Sequence, residues 1–202
     1  MENIFTPEDR KLIKEGITEK YRKVAVSPEG SFAYPTGRAG LEGQNYDSEI
    51  LNALPEEVLI SYCGVGNPFS LGPIHNGDAV LDIGCGAGVD SLVAAAMVGP
   101  EGRVVGVDLT PEMLERARAN LRMTSHENVS FREASAEDLP FQDMSFDAVI
   151  SNGVFNLIPD KGRALKEIFR VLKPRGRFMI ADQTLTAVSP GDTKSMVESW
   201  AG

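Results

Sequence analysis

Thiols and imidazoles are scarce in this sequence. Its 202 residues include two cysteines, Cys63 and Cys85, and two histidines, His75 and His126. Neither cysteine belongs to a CxxC pair or a Cys/His cluster, and the histidines lie far apart, so no metal site is expected. Each histidine reads as a solvated loop residue. Positive charge is also in short supply, with 20 Lys and Arg against 29 Asp and Glu for a net charge of -9. No basic cluster longer than a couple of residues interrupts that excess. Such a surface repels phosphate backbones, which argues against nucleic acid as a partner. No apolar run approaches the roughly 18 residues that a membrane span needs. The opening stretch MENIFTPEDRKLIKEG carries charges where a secretory signal needs an apolar block, so a cytoplasmic location is expected.

What remains is a chain long enough for one real core with an appendage, and its pattern changes near residue 78. Before that point, TPEDRKLIKEGITEKYRKV places Thr6 as N-cap and Pro7 at the first helical position, with Leu12, Ile13, Ile17 and Tyr21 on one face of an amphipathic helix. SPEGSFAYPTGRAGLEGQNYD, rich in glycine and proline, reads as an irregular loop or lid that carries Phe32, Tyr34 and Tyr46 to bury. Helical spacing resumes in SEILNALPEEVLISYCGVGNP.

From Ala79 strands alternate with helices: AVLDI, RVVGV, VSFRE, FDAVIS and RFMIAD, separated by helical or short connecting segments. That alternation predicts a parallel sheet with helices on both faces. The helix KGRALKEIFRVL spaces Leu165, Ile168, Phe169 and Leu172 on one face, and Pro174 and Gly176 follow as terminators. The expected division is 1–78 as a helical and loop cap and 79–202 as a ligand-binding domain.

The chemistry begins at VLDIGCGAGVD, residues 80–90, a strand running through glycines into a helix. Gly84, Gly86 and Gly88 allow close backbone approach to a ligand, and the helix start behind them offers free N–H groups. A dinucleotide turn would need a small third residue where Val89 stands. The pattern is instead D-x-G-x-G-x-G, with Asp82 placed to attract an ammonium directly or through water. The second strand ends in Asp108, where a carboxylate can accept both hydroxyl hydrogens of a ribose. Leu109 can flank a base, Ala136 can offer backbone to an adenine edge, and Glu137 can accept from its amino group. The ligand reads as a nucleoside bearing an amino acid.

VLDIGCGAGVD, VVGVDLTPEML, ASAEDLPF, SFDAVISN and VLKPRGR together resemble the ordered motifs of class I S-adenosylmethionine-dependent methyltransferases, over roughly residues 79–182. The resemblance implies a Rossmann-like α/β fold and S-adenosylmethionine as cofactor. A narrower resemblance, to the arsenite methyltransferases, rests on CGVGNPFSLGPIHNGDAVLDIGCGAGVD and SNGVFNLIPDK. In that family cysteine thiolates hold trivalent arsenic while the cofactor delivers a methyl group. This sequence has Gly153 and Val65 where the resemblance calls for cysteines, with Cys63 two residues away as a substitute. Cys85, inside the glycine turn, reads as a packing residue.

The resulting expectation is a methyltransferase acting on a small-molecule or metalloid acceptor, with an acceptor pocket shaped by Tyr34, Cys63, Gly153 and Asn156 and no assigned catalytic residue. Asn152 is expected at the cofactor, and Asn156 reads equally as a helix cap. The competing reading is a non-catalytic S-adenosylmethionine-binding module or regulatory subunit. Class I methyltransferases complete the sheet with two further strands absent here, so the RFMIADQTL strand is expected to pair with a second copy, making a homodimer, or to be covered by the chain's own tail. The resembled family places a further cysteine just after a WAG-like segment. The corresponding expectation is a UGA selenocysteine codon after Gly202, read as stop.

Overall fold

The structure is a computed structural model that describes residues 6–184. Five parallel strands form the sheet: β1 (Ala79–Ile83), β2 (Arg103–Asp108), β3 (Val129–Glu133), β4 (Phe146–Asn152) and β5 (Leu172–Ala181), in the order β3-β2-β1-β4-β5. β1 is buried along its whole length, which explains why AVLDI reads as a continuous run rather than an alternating one. The chain leaves β1 toward β2 on one side and returns to β4 on the other. This reversal opens a crevice at the carboxyl ends of β1 and β4, where open α/β sheets bind ligands.

Helices α5 (Val89–Val98) and α6 (Pro111–Leu121) follow β1 and β2, and α7 (Lys161–Val171) precedes β5. Val80, Ala148, Ile150 and Met179 pack with Leu92, Val93 and Val98 of α5 on one face of the sheet. Leu81, Ile83 and Val149 pack with Ala164, Ile168 and Val171 of α7 on the other. Asp160 caps α7, accepting from the Arg163 amide at 2.9 Å. Asn156 does not serve as that cap; it lies within a short 3-10 turn, Phe155–Leu157.

The N-terminal region is more regular than its composition suggests. Helix α1 (Pro7–Val24) begins with a Thr6/Asp9 capping box. Within the stretch expected to be an irregular loop stands a helix, α2 (Gly37–Gly43). Its Gly40 serves packing rather than turning, since a Cβ there would lie 2.5 Å from the Pro35 carbonyl oxygen and 3.4 Å from the Tyr62 ring. Short helices α3 (Ser48–Ala53) and α4 (Glu56–Leu59) follow. Leu41, Tyr46, Leu51, Val58, Leu59 and Tyr62 join the same hydrophobic cluster as α5 and the sheet.

The buried helical faces are narrower than their apolar spacing predicts. Ile13 is fully buried, but Leu12 is 55% exposed. In α7, Ile168 is buried while Leu165 and Phe169 are exposed, Phe169 by 84%. Helical spacing identifies the inward stripe but not its width, which the neighbouring elements determine. Among the described residues β5 is a sheet edge. The tail expected to cover it, from residue 185 onward, lies outside the described residues.

Candidate cofactor site

A cavity of about 440 Å³ occupies the crevice at the ends of β1 and β4. Its floor is the turn after β1. Gly84 has φ +69°, and a Cβ there would run into the Val154 isopropyl group, so the turn both needs glycine and brings bare backbone to the cavity wall. Gly84, Cys85 and Gly86 line the cavity. Gly88 does not: a Cβ there would lie 2.6 Å from the Phe131 ring, so this glycine is needed for packing behind the turn.

Asp108, Leu109, Ala136 and Glu137 form one wall. Asp108 Oδ2 accepts from the Gly86 amide at 2.9 Å, and Oδ1 from the Thr110 amide at 2.8 Å. The carboxylate thus fixes the turn while keeping lone pairs for a ligand's hydroxyls. Burial pushes its pKa up, and these backbone donors pull the other way. The Glu137 carboxylate accepts from the Asp160 amide at 2.7 Å.

Asp82 stands elsewhere. It is buried behind the turn, its Oδ2 accepting from Ser91 Oγ at 2.6 Å, and it does not line the cavity. Asp90, on the first turn of α5, does line it. Asp90 Oδ1 accepts from Tyr46 Oη at 2.7 Å and Oδ2 from Asn152 Nδ2 at 2.9 Å. Asn152 also lines the cavity, and its side chain is committed to the cap: Oδ1 accepts from the Val65 and Gly66 amides at 2.8 and 3.1 Å, and Nδ2 reaches the Gly66 carbonyl at 2.7 Å and Tyr62 Oη at 3.0 Å. Tyr62 in turn donates to Gln44 Oε1. Sequence reasoning missed this hub of Asp90, Tyr46, Tyr62 and Gln44. Its one local signal was an acid in the first helical turn after the glycines.

Across the cavity from the sheet lies α1, contributing Arg10, Ile13, Lys14, Ile17 and Tyr21. The helix, rather than the loop around Tyr34, forms this lid. Tyr34 is one layer back, its hydroxyl donating to the Cys63 carbonyl at 3.0 Å. Cys63 and Gly153 line the cavity; Asn156 does not, and its Oδ1 is buried with no hydrogen-bond partner among the described residues. Burial, reinforced by the charges of Asp108 and Asp90, pushes the Cys63 thiol up to about 12. Gly153 has φ +72°, and a Cβ on it would lie 3.2 Å from Val65 Cγ1. The two positions where cysteine was expected therefore face each other. Among the described residues no group of three His, Cys, Asp or Glu is arranged to hold a metal ion, and no helix is long and apolar enough to cross a membrane.

A parallel sheet with a glycine-cradled cavity at its reversal point and a carboxylate closing the second strand defines a Rossmann-like protein built for a nucleoside ligand. Residues 74–201 match the family described as "Methyltransferase domain", and the chain belongs to it. It is 35% identical to the arsenite methyltransferase of Halobacterium salinarum, an alignment covering 100% of this chain and 55% of that protein. It is 40% identical over 104 residues to the demethylmenaquinone methyltransferase of Symbiobacterium thermophilum, covering 51% of this chain and 41% of that one. The crystal structure of CrArsM, an arsenic(III) S-adenosylmethionine methyltransferase from Chlamydomonas reinhardtii, is similar with a TM-score of 0.55 and 36% identity, over 74% of this chain and 50% of that one. The chain spans about half the length of these relatives.

The residues fit S-adenosylmethionine. Asp108 retains acceptor capacity, the cradle at Gly84 is one that a side chain would fill, and the cavity extends from a base-sized wall at Leu109 and Ala136 to a carboxylate at Asp90.

Proposed function

We propose that this chain is the cofactor-binding part of a methyltransferase that acts on a small-molecule or metalloid acceptor brought in beneath α1. The observation that carries the reading is the single cavity bounded by the glycine turn and Asp108 on one side and by α1, Cys63 and Val154 on the other. It gives donor and acceptor a shared space. S-adenosylmethionine supplies an electrophilic methyl group on a sulfonium, so the protein's main task is alignment. Asp108 holds the ribose, the Gly84–Gly86 backbone supports the amino-acid end, and Leu109 and Ala136 flank the base. Ile13, Ile17 and Tyr21 exclude water. The Tyr21 phenol stays protonated, burial being the main cause, and no general base is required when the acceptor arrives as a thiolate, a metalloid lone pair or an ionised carbon acid.

The acceptor end favours apolar or weakly charged molecules over a metalloid held by thiolates. The sequence holds two cysteines, Cys63 and Cys85, the second inside the glycine turn, so these residues cannot make a three-thiolate site. Gly153 gives the cavity bare backbone, and Val65 stands beside it, so neither of these two positions offers a thiol. That same pairing favours the second reading, a module that binds the cofactor without turnover. Calorimetry with S-adenosylmethionine and S-adenosylhomocysteine, followed by an assay of S-adenosylhomocysteine release with arsenite, selenite, thiols and a demethylated quinol, separates the two. Release with any acceptor supports the enzyme. Tight binding with release from none supports the module, and binding of neither nucleoside refutes both.

A further inference from the structure

Asp82 and Asp90 are buried and Asp108 half-buried around the glycine turn, and among the described residues no lysine or arginine forms an ion pair with any of them. A buried carboxylate without a counter-ion is costly. Each of the three is compensated differently. Asp108 takes backbone amides from Gly86 and Thr110 and looks along the nucleoside wall. Asp82 takes the Ser91 hydroxyl and is shut off from the cavity. Asp90 is held by two neutral donors, the Tyr46 phenol and the Asn152 amide, and faces the cavity. A carboxylate has about four lone-pair sites, and these two donors leave the others for something in the cavity.

We infer that Asp90 receives the ammonium of the cofactor's amino-acid end, while Asp82 serves the fold. Asp90 stands at the β1–β4 side of the cavity beside Asn152, and Asp108 stands at the β2 side beside Leu109. A ligand with a ribose at one end and an ammonium at the other satisfies both. The Tyr46, Tyr62 and Asn152 groups hold the Asp90 carboxylate in position, so residues 44–66 of the cap contribute to cofactor recognition without touching the nucleoside. The inference rests on S-adenosylmethionine being the ligand.

The test is calorimetry with three probes: S-adenosylmethionine, S-adenosylhomocysteine and methylthioadenosine, which lacks the amino-acid group. Asp90→Asn is expected to weaken the first two by about tenfold or more, the usual size for a charge-assisted contact, and to leave methylthioadenosine within about twofold. Asp82→Asn is expected to leave the ratio between the probes as in the unaltered chain. An equal loss for all three probes with Asp90→Asn, no loss for any, or a changed ratio with Asp82→Asn instead would overturn the assignment. Asp90→Ser provides the same comparison if Asp90→Asn does not fold. On the unaltered chain, deaminated S-adenosylhomocysteine must bind about tenfold more weakly than the parent; equal binding overturns the assignment without any variant. If the unaltered chain binds none of the probes, the cofactor reading fails and the assignment falls with it.

Discussion

Replacing Asn152 with alanine should cost far more than its half-buried position suggests. Its Oδ1 is the partner of two amides, Val65 and Gly66. Its Nδ2 has two hydrogens for four acceptors within 3.2 Å: Asp90 Oδ2, the Gly66 carbonyl and the hydroxyls of Tyr46 and Tyr62. Two of those bonds are made at a time. Leaving a buried amide unpaired costs about 1–3 kcal/mol, and a bond to a charged group is worth about 1.5–3 kcal/mol. Full loss at Val65, Gly66 and Asp90 would therefore come to about 4–9 kcal/mol. Water entering from the adjoining cavity offsets part of this, and we expect a net loss of about 2–4 kcal/mol. In a chain of this size that lowers Tm by roughly 4–16 °C. Urea and thermal unfolding of Asn152→Ala measure the loss. Combining it with Tyr46→Phe should reveal a coupling of about 0.5–3 kcal/mol if the hub acts as one network. A loss below about 1 kcal/mol, or additive effects in the double variant, would refute the reasoning.

Asp108→Ala should weaken S-adenosylmethionine binding by about 1.5–3 kcal/mol in calorimetry, the cost of losing charge-assisted bonds to a buried ligand; unchanged affinity would remove Asp108 from the ribose site. Burial pushes Asp90 from an ordinary 3.8 up to about 6. The folded chain therefore holds a proton there that the unfolded chain releases between roughly pH 4 and 6, so this group's contribution to stability falls as pH rises through that window. An adjacent cation favours the ionised form, so S-adenosylhomocysteine affinity should rise from pH 5 to 7. The groups facing Asp90 are Tyr46, Tyr62 and Cys63, all held protonated by burial, and Asp82, itself pushed up. Asp108, also raised, is common to both proteins, so an Asp90→Asn chain with an undiminished pH response would count against Asp90 as the source. This 202-residue chain should neither bind arsenite tightly nor methylate it at a useful rate, and methylarsenicals formed in a glutathione-containing assay would overturn that expectation.

The parts of the site legible in the sequence are those built from neighbours along the chain. The glycine turn, Asp108 at the end of β2 and the Ala136–Glu137 segment each follow a strand, and strand ends in a parallel sheet converge by topology. Asp90 and its partners were hidden because the contacts that define them are long-range: Tyr46 and Asn152 are 106 positions apart, and Tyr46 and Asp90 are 44 apart. Helix α2 was hidden for a different reason. Glycine usually signals a turn, but Gly40 is small so that Pro35 and Tyr62 can close on it. For Asp82 position in the chain was not enough: the end of β1 points toward the crevice in general, but this side chain accepts from Ser91 of α5 and does not line the cavity.

Gly153 and Val65 show most clearly what spatial arrangement adds to a sequence reading. Read along the chain, they are two unrelated departures from the resembled family's cysteines, 88 positions apart in number. In the fold they touch: the space a side chain at 153 would occupy begins 3.2 Å from Val65 Cγ1. The φ of +72° at Gly153 lies in the left-handed region, where a non-glycine residue costs about 1–2 kcal/mol. A cysteine at 153 alone would therefore meet both backbone strain and the Val65 isopropyl group, while a cysteine at 65 alone would face bare backbone. The two replacements are better understood as one change, in which a branched hydrocarbon stands beside the bare backbone that Gly153 gives the cavity wall. A cysteine at 153 is best accommodated with a smaller residue than valine at 65.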